Sequence, residues 1–143
     1  LVISDAKKSN NYIFLLIGVT IWMFGLIFEI ISDNQKSRFN SDKNNKGKFI
    51  NTGLWSLSRH PNYFGEFILW TGITVIALPY FSGIHYIACI SPVFIYLMLN
   101  KISGVNLLEE IADQRWGDEK SYLDYKKQTP IFFPKLFKLQ TKK

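Results

Sequence analysis

The run Tyr12-Ile13-Phe14-Leu15-Leu16-Ile17-Gly18-Val19-Thr20-Ile21-Trp22-Met23-Phe24-Gly25-Leu26-Ile27-Phe28-Glu29-Ile30-Ile31 decides the fold class. It holds twenty residues with Glu29 as its only charge, the length and polarity a helix needs to cross a bilayer. It is too long for a signal-peptide core, and no small-residue cleavage site follows it. Two more apolar runs follow, over 62–79 and 84–100. The expected class is all-α: a polytopic membrane helical bundle forming one domain. Its three spans are 12–31, 62–79 and 84–100. They follow a polar lead over 1–11 and precede an amphipathic cytoplasmic tail over 101–143.

Composition agrees with that division. The 143 residues are 48% hydrophobic and 16% aromatic, yet carry a formal net charge of +6. The lysines lie between the apolar blocks, as they do in membrane proteins. They flank hydrophobic runs and show no nucleic-acid-binding motif, so no nucleic-acid partner is expected. The single cysteine, Cys89, leaves no internal disulfide or cysteine-cluster metal site.

Residues 33–60 carry Lys36, Arg38, Lys43, Lys46, Lys48 and Arg59 against Asp33 and Asp42. That excess marks a loop on the cytoplasmic side, with a flexible stretch expected over 43–48. The neutral turn Pro79-Tyr80-Phe81-Ser82-Gly83 then lies on the opposite side, with His85 at the interface. Pro92 is expected to kink the third span. In the tail, Val105–Trp116 reads as an amphipathic helix capped by Gly117, and a second short helix carries Tyr122 and Tyr125 on one face. The segment 129–134 must be extended because of its two prolines, and its aromatics are expected at the interface.

The chemistry gathers in Gly53-Leu54-Trp55-Ser56-Leu57-Ser58-Arg59-His60-Pro61-Asn62-Tyr63-Phe64-Gly65-Glu66. Pro61 suits the first turn of a helix, and Arg59 and His60 then stand at its positive end, where an anion is favoured. Asn62 and Glu66 share a face four residues apart. Upstream, Glu29 and Asp33 are likewise one turn apart. A carboxylate at membrane depth is costly and usually functional, although at a helix end it can also mark the water boundary. A dinucleotide needs cations for its pyrophosphate, which Arg59, His60, Lys36 and Arg38 supply, and acceptors for its ribose hydroxyls, which Glu29, Asp33, Asn62 and Glu66 offer. No glycine-rich fingerprint of a Rossmann domain is present. Trp55, Tyr63 and Phe64 either wall a cofactor ring or sit at the interface.

Taken together, Glu29-x3-Asp33-x-Gln35, the 53–66 stretch, Ser91-Pro92, Ser103-Gly104-x3-Leu108-Glu109 and Tyr122-x2-Tyr125-x3-Thr129-x4-Pro134 resemble the steroid 5α-reductase-like membrane proteins. The nearest likeness is the branch known as DUF1295. The family is similar in its helical membrane fold to sterol Δ14- and Δ7-reductases and to isoprenylcysteine carboxyl methyltransferases. The resemblance implies an NADPH-dependent reductase of a lipid or steroid-like enone or alkene. It places Glu29 and Asp33 where the 5α-reductases hold a nucleotide-contacting pair, and Asn62 where their cofactor-binding asparagine stands. The cofactor set expected from the residues and the resemblance together is Glu29, Asp33, Arg59, His60, Asn62, Glu66, Glu109, Tyr122 and Tyr125, with no metal and with the catalytic residues unassigned. Near the C-terminus the family's Arg, His and Tyr pattern transfers poorly onto Glu109, Glu110, Arg115, Tyr122 and Tyr125.

Two alternatives stay open. One is a membrane methyltransferase using S-adenosylmethionine, whose Arg-His-Pro-x-Tyr-x-Gly pattern is similar to Arg59–Gly65 and whose C-terminal pattern is similar to Glu109-Glu110 followed by Trp116-Gly117, Tyr122 and Tyr125. The other is a non-catalytic membrane remnant. Family members carry further helices before this segment, and the chain starts at Leu1, so the expectation is the C-terminal half of a longer protein. The partners implied are the lipid bilayer, a small lipophilic substrate and that missing N-terminal half. The membrane is the endoplasmic reticulum in a eukaryote or the inner membrane in a bacterium.

Overall fold

The computed structural model describes residues 2–135, which form helices and turns without a strand. Five α-helices follow in order: α1 (Val2–Ser41), α2 (Pro61–Ala77), α3 (Ser91–Leu97), α4 (Val105–Trp116) and α5 (Lys120–Gln128). Three segments are long and apolar enough to cross a membrane: Asn11–Ser41, Pro61–Tyr80 and Gly83–Trp116. An all-α polytopic bundle is what these elements make.

Glycines position the first two spans. Gly18, Gly25 and Ser32 are buried at intervals of seven along α1, and Gly65 and Gly72 are buried seven apart on α2. A Cβ on Gly25 would stand 2.4 Å from the Leu69 nitrogen, and one on Gly65 would stand 2.7 Å from the Glu29 nitrogen. In a lipid environment, where burying apolar surface gains little, such small-residue stripes let backbones touch and dispersion hold them. The hydroxyls of Thr20, Ser32, Thr71 and Thr74 each donate to the carbonyl four residues back, so none of these four hydroxyls is left bare on the spans. Leu16, Ile17, Phe24, Ile27 and Ile30 stay exposed, as a lipid-facing surface would.

Four expectations need correction. First, α1 does not stop at 31 but runs on through the polar residues to Ser41, and it begins within the expected polar lead. Helix propagation adds one hydrogen bond per residue, and Ser32 and Gln35 pack on the following segment, so the helix outlasts its apolar stretch. Second, the 43–48 stretch is not without local structure. Asp42 accepts from the Asn44 N–H (2.9 Å) and caps a 3₁₀ turn over Lys43–Asn45, and the Asn45 amide donates to the Phe39 carbonyl (3.1 Å). Third, Pro92 does not kink a continuous helix. Gly83–Ile90 is 3₁₀, and Pro92 stands in the first turn of α3, where its missing N–H breaks no bond. A π-helical stretch over Met98–Ser103 then leads to Gly104 and α4. Fourth, the aromatics of 129–134 divide. Phe133 is exposed, but Phe132 is buried against Phe64, Phe67 and Tyr96.

The chain after α5 is extended at Thr129, before Pro130, then bends over 131–133 instead of running extended throughout, and it straps the entrance of α2. The Arg59 N–H donates to the Pro130 carbonyl (2.9 Å), the His60 N–H to Ile131 (3.1 Å), and the Lys135 N–H to Leu57 (3.0 Å). The buried Ser58 hydroxyl lies within reach of the Ile131 and Phe132 carbonyls. Residues 136–143 of the expected tail lie outside the described residues.

Candidate functional site

Pro61 occupies the first turn of α2 and His60 is its N-cap residue, without a side-chain cap bond. This places Arg59 and His60, both buried, at the helix's positive end. The anion they meet is internal. Arg59 Nη1 pairs with Glu109 Oε2, and His60 Nε2 lies 2.9 Å from Glu109 Oε1. Arg59 Nε is buried and has no hydrogen-bond partner. On the far side of Glu109, Lys126 Nζ stands 3.8 Å from Oε2 and is held more closely by both Asp113 oxygens, at 2.5 and 2.6 Å.

A cavity of about 220 Å³ opens over this cluster. Its cations are Lys36, Lys48, Arg59 and Arg115, with His60 beside them, against Glu109 as its one carboxylate. Its walls are aromatic. Phe49 packs on Trp116, Tyr122 and Tyr125 with centroids 5.3–6.0 Å apart, and the Lys36 ammonium lies 4.9 Å over the Trp55 ring. The Trp55 indole N–H donates to the Ser32 carbonyl (2.9 Å), and the Tyr125 hydroxyl donates to the Trp55 carbonyl (2.6 Å). α1, the 53–60 turn and α5 are thereby fixed to one another around the opening. Burial is the main reason that the phenols of Tyr122 and Tyr125 ionise well above the ordinary tyrosine range. For Tyr122, the hydrogen bond to Asp113 (3.1 Å) adds to the effect.

Arg59, His60, Glu109, Tyr122 and Tyr125 are therefore together. Glu29, Asp33, Asn62 and Glu66 do not line the cavity. The three carboxylates form a second group on α1 and α2, near enough to feel one another's charge. Tyr63 joins the two groups: its ring stacks on His60 (5.7 Å), and its hydroxyl senses Glu66 and Asp33. Lys36 joins them again, lining the cavity while interacting with Asp33. Asn62 is half-buried, and its side chain makes no hydrogen bond to any described residue. Sequence reasoning passed over Lys48, Phe49 and Lys126 as site residues. A lone phenylalanine after a run of lysines and asparagines was the available signal for Phe49.

The profile of the family described as "Protein of unknown function (DUF1295)" matches residues 1–129. The chain belongs to this family. Its members are steroid 5α-reductase-like proteins, and the match takes in the strapped 53–66 stretch. Among curated proteins, the chain is 31% identical over 102 residues to "Probable O-methyltransferase ustE" of Ustilaginoidea virens. The match covers 71% of this chain and 34% of that protein, so the chain spans about a third of the relative's length. No solved structure matches.

Proposed function

We propose that this DUF1295 chain is the cofactor-binding part of a membrane-embedded, NADPH-dependent reductase acting on a lipid or steroid-like enone or alkene. The observation that carries the reading is the charge of the cavity: four cationic side chains and His60 against one carboxylate, with Arg59 and His60 at the positive end of a seventeen-residue helix. That donor set suits a multiply phosphorylated ligand. S-adenosylmethionine brings a sulfonium cation instead, and it would gain little from Lys36, Lys48 and Arg115. The unpartnered, buried Arg59 Nε fits the same ligand, since an orphaned donor of this kind lacks an acceptor.

At about 220 Å³ the cavity falls below the roughly 300–1,000 Å³ of common ligand pockets. The reading assigns it the phosphate-bearing adenosine end only. There Lys36, Lys48, Arg59 and Arg115 hold phosphates, and Trp116 offers a face for a base. Past the Tyr63 ring, Glu29, Asp33 and Glu66 accept from ribose hydroxyls, and Asn62 brings an amide with no other partner. When bound, NADPH supplies the hydride; the protein's part is to orient it and keep water away.

A second reading, an O-methyltransferase using S-adenosylmethionine, is favoured by the name of the relative from Ustilaginoidea virens. Tryptophan fluorescence of the detergent-purified protein separates the two, because Trp55 and Trp116 line the cavity. Saturable quenching by NADPH, weaker by NADH and absent with S-adenosylmethionine supports the reductase. The reverse order of ligands supports the methyltransferase.

A further inference from the structure

The carboxylate of Glu109 occupies the place where an incoming phosphate would be held. It satisfies Arg59 and His60 together, it is itself largely buried, and it sits at the head of α2. Yet it leaves Arg59 Nε unpartnered inside the cluster. The next cation beyond the pair is Lys126, 3.8 Å from the same Oε2 that meets Arg59. Lys126 is half-buried, and its present partner Asp113 is largely exposed, so that pair can be remade against water at little cost. A glutamate carries its carboxylate on a flexible stem, and a few ångströms lie within side-chain rotation.

We propose that Glu109 is an exchangeable internal anion. It fills the head of α2 in the ligand-free protein, yields Arg59 and His60 to a phosphate of the incoming ligand, and moves onto Lys126. The inference rests on the nucleotide reading of the cavity and adds a gate to it. An anion entering beside a fixed Glu109 would face a like charge in a partly desolvated place, where such repulsion is strong. An anion that displaces Glu109 meets two donors already aligned. The resting carboxylate keeps Arg59 and His60 in place while the site waits, and it discriminates against weak monoanions that cannot dislodge it.

The test is a titration of the full chain in detergent with two probes, inorganic pyrophosphate and NADPH. Glu109→Gln keeps size and removes the competing charge, so affinity for both probes should rise, by about tenfold. Glu109→Asp keeps the charge but shortens the stem, so it can no longer hold Arg59 and His60 together. It too should bind more tightly, and it stands in should the Gln variant fail to fold. Lys126→Met should weaken pyrophosphate binding in the wild-type background and leave it unchanged in Glu109→Gln, because the displaced carboxylate then no longer needs a partner. Weaker or unchanged binding in both Glu109 variants overturns the exchange, as does a Lys126→Met effect equal in the two backgrounds. Pyrophosphate binding that behaves as described, with no NADPH binding in any variant, sinks the NADPH assignment and leaves the exchange standing.

Discussion

Gly18 and Gly72 face each other across the α1–α2 crossing so closely that a Cβ on either would stand 2.7–2.8 Å from the other's carbonyl oxygen. The carboxylates of α1 and α2 and the His60–Tyr63 stack sit further along the same crossing, towards the head of α2. The depth at which the glycines lock therefore sets where those groups meet.

Gly72→Leu should be severely destabilising. The new side chain meets the backbone of Trp22 and Gly18 rather than a flexible tip, so a loss of about 3 kcal/mol is expected. Thermal unfolding in detergent measures it. An unshifted melting temperature would mean that the two helices are not in this register.

Trp55→Phe keeps an aromatic ring but removes the indole donor to Ser32. The expected loss is about 1 kcal/mol of stability. Ligand affinity should fall as well, because the same ring carries Lys36. Full stability together with unchanged affinity would show that the 53–60 turn is not fixed to α1 in this way.

Alkaline pH reports on the two tail tyrosines. Their folded-state values lie above the ordinary 10.0, so folding favours the neutral phenol. That contribution is complete below about pH 10 and is lost as pH rises through the folded values. In a near-ultraviolet titration of the seven tyrosines, Tyr122→Phe and Tyr125→Phe should each remove a late-ionising step. If either variant instead loses a step near the ordinary value, that phenol is not held as described.

Much of this was legible in the sequence because the bilayer demands long apolar helices and tolerates few charges. The run 12–31, the block 62–79 and Pro61 at a helix start all speak through that demand. Short-range reading did not reach α1's extension to Ser41, since tertiary contacts from Ser32 and Gln35 hold it. The division of the candidate residues into a cavity group and a carboxylate group was equally hidden. Fifty residues separate Arg59 from Glu109, and only the strap 130–135 and the packing of α4 bring them together. The glycines at intervals of seven were visible, but they became meaningful only once α2 was seen to repeat them.

Glu29→Gln separates a ligand contact from a marker of the water boundary. As an acceptor for a ribose hydroxyl, Glu29 should lose about 1–3 kcal/mol of NADPH affinity on neutralisation, with expression unchanged. A neutral or mildly stabilising substitution with full affinity would make it a boundary residue.

The most direct measurement compares NADPH affinity of the wild-type chain with that of Arg59→Ala. Arg59 joins the head of α2, the Glu109 carboxylate and the strap in one residue. Removing a charge-assisted donor to a phosphate should cost about 1.5–3 kcal/mol, roughly ten- to a hundredfold in affinity. Such a drop, in protein that still folds but melts lower because Glu109 loses its buried partner, is the predicted result. Equal NADPH affinity in the two proteins would contradict an anionic cofactor held at this place.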